Sequence, residues 1–405
     1  MIKLNKILFH SFFLFSFSLA QEKIVLFNVN VIDGLNSSIQ KDKMIFISNR
    51  KIESIKNSGS IPKGYKGIDL YGMYILPGFI DAHTHISSLN AAKRALESGV
   101  TTARSASTSS FQDVSLREMV KTGKLIGPDM IATGVFVTPN LGETILADVR
   151  LANLANGVNK ESELRKLVQI NADRGVDFIK TRGTERAGLP YTDPRKQTYT
   201  KKQLSIIVNE ATKFNIPVMA HAHGDEGGFA AVKAGVRSIE HGTYLSKNTL
   251  SLMKDKGTYL VPTFTTVVDL TEPGGDYDNP ILFIRGQHML PSLERTVKTA
   301  YKMGVKIVTG ADTGYGPNST TRIGMEITNF VDLGMKPLDA IRSATIIGAE
   351  LLMIADKTGT IEVGKEADLI VVTKNPLKHI RTIQDVVFVM SNGEVALKRI
   401  PFTKE

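Results

Sequence analysis

The sequence predicts an α/β protein whose main body is a (β/α)8 barrel, and three observations carry that expectation. First, one local pattern recurs at residues 91–100, 171–176, 230–236 and 300–305: a helical segment, commonly Ala-rich, then a Gly that can close it, then Val and a β-run. Gly suits the helix end because the terminating residue often takes a left-handed conformation, which Gly adopts without a Cβ clash. Second, the runs at 176–179, 236–239 and 305–308 are short and mostly apolar, as parallel strands covered on both faces tend to be. Third, the candidate metal ligands stand at the ends of such runs, where a barrel keeps its functional residues. Successive βα units across 76–355 fit the barrel best, with a doubly wound open sheet as the competing arrangement.

Taken in chain order, the first segment is not part of that body. Met1-Ile2-Lys3-Leu4-Asn5-Lys6 is a basic start, and an apolar, Phe-rich run follows to Ala20. Ser18-x-Ala20 supplies the small residues that a signal peptidase accepts, so 1–20 read as a signal peptide and Gln21 as the mature N-terminus. The chain is then exported, either periplasmic or secreted. A short apolar stretch beside a cleavage-like site argues against a spanning helix, so no stable membrane anchor is expected.

Both flanks of the body show β-type alternation and turn signals. Residues 24–34 and 44–48 at one end, and 369–372 and 386–390 with an Asn392-Gly393 turn at the other, read as strands. They are expected to assemble one small, discontinuous β-domain from 21–75 plus 356–405. Between the flanks, Thr200-x-x-Gln203 is a capping box opening a helix toward Phe214.

Composition narrows the chemistry. A chain with 42 % hydrophobic and 22 % charged residues is ordinary for a globular protein. The formal charge of +10 would fall to +8 with the loss of Lys3 and Lys6, and Lys and Arg are spread without a basic block, so no nucleic-acid partner is expected. With no cysteine, neither disulfides nor thiolate ligands are available. Any metal must be held by nitrogen and oxygen donors.

In Ile80-Asp81-Ala82-His83-Thr84-His85 the two histidines are two apart on an expected strand, so they share a face and can reach one ion. His221 and His241 each follow an apolar run of their own. Either alone reads more readily as a hydrogen-bonded structural histidine, but a barrel brings the ends of separate strands together. Lys180 closes Val176-Asp177-Phe178-Ile179-Lys180, and its ammonium cannot ligate a cation. Its neutral amine can take up carbon dioxide to give an anionic carbamate able to bridge two ions; the bland alternative is a salt bridge. Asp312, after Thr309-Gly310-Ala311, can ligate a metal and carry a proton, or simply cap a helix.

Together these residues resemble the amidohydrolase superfamily, in its branch of imidazolonepropionase-like proteins and Xaa-Pro or Xaa-Arg dipeptidases. The resemblance runs from Leu76-Pro77-Gly78-Phe79-Ile80-Asp81-Ala82-His83-Thr84-His85 through Gly99-Val100-Thr101-Thr102-Ala103-Arg104, Ser238-Ile239-Glu240-His241-Gly242-Thr243 and Thr309-Gly310-Ala311-Asp312 to the segment 358–369. It implies a (β/α)8 TIM barrel carrying a β-sandwich from both chain ends, with two divalent ions, usually zinc. His83 and His85 would hold the more buried ion, His221 and His241 the more exposed one. Carbamylated Lys180 would bridge them, and Asp312 would complete the buried site. Hydroxide between the metals would attack a carbonyl carbon, with Asp312 protonating the leaving nitrogen. His223, Tyr244 and Arg182 would face the substrate, Arg182 by pairing with a carboxylate.

Two departures weaken the substrate assignment. Arg104 is followed by Ser105 where relatives commonly carry Asp, and a Gly-Gly-His loop is replaced by Val137-Thr138-Pro139-Asn140-Leu141-Gly142. The first expectation is hydrolysis of a small amide, either a dipeptide or an N-acyl amino acid. A lactone, cyclic amide or xenobiotic ester is the second. A non-catalytic scaffold on a retired barrel is the third, and it should have lost ligands, whereas all six stand in the sequence. Homo-oligomerisation is common in such barrels, but no segment demands it.

Overall fold

A computed structural model describes residues 22–400, so the expected signal peptide and its cut near Ala20 lie outside the described residues. The N-terminal flank supplies β1 (Ile24–Val31), β2 (Gln40–Ser48), β3 (Lys51–Asn57) and β4 (Lys66–Pro77). The body supplies β5 (Phe79–Thr84), β6 (Val100–Ser105), β7 (Asp129–Ile131), β8 (Ile179–Arg182), β9 (Val218–Ala222), β10 (Ser238–His241) and β11 (Tyr259–Val261), with helices between most of them. The C-terminal flank adds β12 (Leu369–Val372), β13 (Val386–Ser391) and β14 (Glu394–Lys398).

Strands from the two chain ends share one seven-stranded sheet, in the order β14-β13-β12-β4-β1-β2-β3. The antiparallel pairing of β12 with β4 joins the ends. An apolar cluster including Leu26, Ile45, Ile75, Val371 and Phe388 fills this region. Strands from both flanks thus lie in one continuous sheet with several register shifts.

The body strands are all parallel to their partners. β5, β6 and β7 form one sheet, and β8, β9, β10 and β11 form another. Hydrogen bonds join their edges on both sides. At one seam Asp177 N donates to Ala132 O at 2.8 Å and Val137 N to Lys180 O at 2.9 Å. At the other, Leu260 N donates to Lys306 O and Val308 N to Leu260 O, both at 2.9 Å, and Ala82 N donates to Thr309 O at 3.0 Å. The run 305–308, expected as a full strand, forms only an isolated bridge between Ile307 and Leu260. Its tip passes very close to β5. A Cβ added to Gly310 would lie 2.8 Å from the Cβ of His83, so only glycine fits there.

The helix-Gly-Val joints explain both what the sequence reveals and where it misleads. Gly99, Gly175, Gly235 and Gly304 all have positive φ, from +75° to +97°. The Val after three of them still bonds back to the helix: Val176 N to Asn171 O, Val236 N to Ala231 O and Val305 N to Ala300 O. Those valines therefore finish the helix cap, and β8 and β10 begin later than the apolar runs suggest, at Ile179 and Ser238. The capping box is present, with Thr200 N donating to Gln203 Oε1 at 3.0 Å and Gln203 N to Thr200 Oγ1 at 3.3 Å; its helix spans Lys201–Thr212. Among the described residues no helix is long and apolar enough to cross a membrane.

Candidate metal centre

β5 delivers two imidazoles to one place. His83 Nδ1 lies 2.7 Å from Glu240 Oε2, and His85 Nδ1 lies 3.3 Å from the carbonyl of Ser107. Both partners accept, so each Nδ1 carries the proton and each Nε2 keeps its lone pair. Those two Nε2 atoms face Asp312 Oδ1 at 3.5 and 3.1 Å. Asp312 is fixed in turn by its backbone N–H, which donates to His83 O at 2.8 Å. The ligand atoms of His83, His85 and Asp312 all lie within 4.8 Å of one another.

A second donor set adjoins the first. His221 Nε2 donates to Glu185 O at 3.0 Å, leaving the lone pair on Nδ1. His241 Nδ1 lies 2.7 Å from Thr263 Oγ1, and His223 Nδ1 lies 2.8 Å from Thr243 Oγ1. The ligand atoms of His221, His223 and His241 again fall within 4.8 Å. His223 stacks on His241 with ring centroids 4.5 Å apart, and His241 lies 5.0 Å from His83. His223, expected among the substrate contacts, thus stands inside this donor set.

Lys180 on β8 is 2 % exposed, and its Nζ has no hydrogen-bond partner among the described residues. Burial holds its amine down to about 8, against the opposing pull of Glu240 and Asp312. Its charge bears on His83 and Asp312 in one set and on His221, His223 and His241 in the other. An unpaired buried ammonium is costly, and a carbamate would replace it with two acceptor oxygens. Burial likewise holds His83 down at about 4, His223 at about 3, and His221 and His241 well below the ordinary imidazole range. Burial alone would raise Asp312, but the His83 and His85 rings outweigh it and hold the carboxyl at about 2. Neutral imidazoles and an ionised carboxylate are the donor chemistry that a divalent ion requires.

A buried layer beneath orients the ligands. Arg104 and Glu240 are both fully buried, with Nη2 2.9 Å from Oε1. Arg104 also donates from Nε to Ala82 O at 2.7 Å and from Nη1 to Ser238 Oγ at 3.2 Å. Glu240 therefore spends one oxygen on Arg104 and the other on His83. Asp81 ties β5 to the segment that carries Asp312: Oδ1 accepts from His83 N and Ala311 N, and Oδ2 from the Tyr315 hydroxyl at 2.7 Å. Neither Arg104 nor Glu240 receives a role from sequence, although a charge inside an apolar strand is the signal that marks both. The backbone is strained around the same place, with left-handed φ at His241 (+75°), Asp312 (+47°), Thr263 (+48°) and Ser107 (+96°).

The two sets open into a cavity of about 350 Å³ lined by all six expected ligands, together with His223 and Arg182. The Arg182 guanidinium sits 4.8 Å from the Phe136 ring centroid, and burial, then the charge of Arg186, lowers it to about 10. Tyr277, unmarked in the sequence, also lines the cavity, and the Asp312 charge together with burial pushes its phenol far up. Tyr244 does not line this cavity. The chain turns at Gly242 (φ +66°), Tyr244 N donates to His223 O at 2.8 Å, and the side chain lines a separate cavity with Lys247 and Arg295.

Comparison with known proteins agrees with this geometry. The amidohydrolase family pattern matches residues 74–396. Ochratoxinase from Aspergillus niger is 25 % identical over 394 residues, covering 85 % of this chain and 80 % of its own. Imidazolonepropionase from Psychromonas ingrahamii is 24 % identical, covering 82 % and 87 %. Among solved structures, a Xaa-Pro dipeptidase with bound methionine in the active site superimposes with a TM-score of 0.82 at 30 % identity, covering 92 % of this chain and 99 % of the other.

Proposed function

Because the chain belongs to the amidohydrolase family and is a metal-dependent hydrolase of carbon–nitrogen bonds, we propose that it holds two divalent ions and cleaves the amide of a dipeptide or an N-acyl amino acid. The observation that carries this is the unpaired Nζ of Lys180, whose charge bears on both donor sets. His83, His85 and Asp312 would hold one ion, His221 and His241 the other, and Lys180 as a carbamate would serve both. Zinc suits nitrogen and oxygen donors of this kind. When bound, the ions would polarise the substrate carbonyl and lower the pKa of a water.

The chain's own residues supply positioning and proton transfer. Asp312, ionised at neutral pH, accepts the proton of the attacking water on a carboxylate oxygen. As the C–O bond forms and the C–N bond breaks, it delivers that proton to the leaving nitrogen, so the products are a carboxylic acid and an amine. Glu240 holds His83 in the tautomer and orientation that this requires. His223 and Arg182, which also line the cavity, are assigned to the substrate.

The hydrogen bonds at both seams support assigning the body, 76–355, to a closed (β/α)8 barrel and the flanks, 21–75 plus 356–405, to the β-sandwich domain. Export after cleavage near Ala20 completes the proposal and is tested by the N-terminal sequence of the mature protein.

Metal analysis after reconstitution with zinc and bicarbonate, followed by a hydrolysis screen over dipeptides, N-acyl amino acids and lactones, tests the activity. Two ions per chain and turnover confined to amides are expected. Absence of stoichiometric metal, or turnover of lactones alone, would overturn the reading.

A further inference from the structure

Helix Phe264–Asp269 starts without help from the residue in front of it. An Asp, Asn, Ser or Thr at that position ordinarily turns its side-chain oxygen onto the first free N–H groups of the helix. Thr263 occupies it, but its backbone is left-handed, with φ +48°, and its side chain makes no capping bond. Its hydroxyl lies instead 2.7 Å from His241 Nδ1, in the second donor set. A β-branched residue seldom takes such a backbone conformation, so its surroundings must hold it there.

Glu326 supplies what Thr263 withholds. It is fully buried on helix Ile323–Asp332. Oε1 accepts from Phe264 N at 2.9 Å, and Oε2 accepts from Thr265 N at 2.7 Å and from Thr265 Oγ1 at 2.6 Å. Asn329, three residues further along the same helix, donates from Nδ2 to Thr265 Oγ1 at 3.1 Å. The next N–H, that of Thr266, closes on Thr263 O at 3.2 Å. The first three N–H groups of the helix are therefore satisfied while the Thr263 side chain remains available to the histidine.

A carboxyl carried this deep is costly, and burial raises it to about 7 against the pull of these bonds. Among the described residues its oxygens bond to nothing except this helix start. The helix also reaches the other donor set. Thr266 Oγ1 donates at 2.8 Å to the carbonyl of Ala311, the residue before Asp312. The short helix is thus a strut, with its front end on His241 and its first turn on the segment that carries Asp312.

We propose that Glu326 is a positioning residue for the metal centre: by capping helix Phe264–Asp269 in place of Thr263, it releases the Thr263 hydroxyl to fix the His241 ring, and so sets how tightly the ion at His221 and His241 is held. This rests on the two-ion reading above and goes beyond it, since Glu326 bonds to neither donor set.

The test compares the full chain with Glu326→Ala, Thr263→Ala and the double variant, and uses Phe388→Ala, in the sheet of the chain ends, as a destabilised control. Zinc binding is followed by calorimetry, and the ring nitrogens of His241 by ¹⁵N NMR of the metal-free protein. Each single variant is expected to weaken one of the two ions by about 10–100-fold, the scale of losing a group that orients a ligand. The double variant should lose no more than the larger single loss, because both changes break one chain of contacts. The His241 shifts should move to the same values in Glu326→Ala as in Thr263→Ala and stay native in Phe388→Ala. Glu326→Gln, which keeps one acceptor oxygen, should show a smaller loss at the same ion and replaces the alanine variant if that chain does not fold. Native zinc affinity and native His241 shifts without Glu326, losses that add in the double variant, or an equal loss in Phe388→Ala would each overturn the assignment. If the native chain takes up fewer than two zinc ions, the two-ion reading falls by itself, and the His241 shifts of the metal-free chain still decide whether Glu326 holds that ring.

Discussion

Phe388 and Lys180 are both buried, yet they belong to regions built to opposite rules. Phe388 lies in the seven-stranded sheet of the chain ends, among Leu26, Ile45 and Val371, where burial removes apolar surface from water. Lys180 lies at the strand tips, where burial strands an amine and neutralises four imidazoles. The first region stores stability. The second spends it to hold groups in reactive states, which is the signature of a site rather than of a core.

That contrast can be broken by experiment. Asp312→Asn, in the second region, is expected to lower kcat by about 10²–10⁴-fold, the scale of a lost acid–base group, with little change in the thermal midpoint. An unchanged kcat would move proton transfer to another residue. Phe388→Ala, in the first, should do the reverse: about 3–5 kcal/mol of stability lost in denaturant unfolding, with kcat per folded molecule retained. Should activity collapse with folding intact, the two regions are coupled more tightly than their separate clusters indicate.

A finer test sets the two rules against each other at one residue. Lys180→Met removes the orphaned amine and should stabilise the metal-free protein by about 1–3 kcal/mol while abolishing stoichiometric metal binding. A destabilised metal-free variant would mean that Lys180 already has a partner. The smallest effect concerns pH. Burial would raise Glu210, but bonds from Lys213, Gln169 and Arg165 outweigh it and hold the carboxyl at about 2, below its ordinary 4.5. Its contribution is therefore complete above pH 4.5 and is lost as pH falls toward 2. Stability measured across that window should slope upward with pH, and Glu210→Gln should flatten part of the slope.

The sequence made local devices legible. Helix-closing glycines, the Thr200 capping box, the Asn392-Gly393 turn and the His-x-His pair each depend on neighbours a few positions away. Features that depend on distant strands were hidden. Arg104 and Glu240 meet across 136 positions, and nothing near either one announces the other. The strand starts were misjudged because Val176 and Val236 look like strand residues while their N–H groups still serve the preceding helix. Spacing from His241 gives no direction for the turn at Gly242, after which Tyr244 lines the separate cavity, nor does it show that the His223 ring nitrogen comes within 4.8 Å of those of His221 and His241.

The seam between β5 and the 306–309 segment has one more consequence. Thr309 Oγ1 donates to Ile80 O across 229 positions, and Asp312 is positioned by the carbonyl of His83. No nascent fragment that stops short of this segment can contain the complete donor set, and contacts of such sequence separation form late. Metal capture should therefore follow synthesis of the chain through Asp312, so that metal binding itself reports that these distant segments have met.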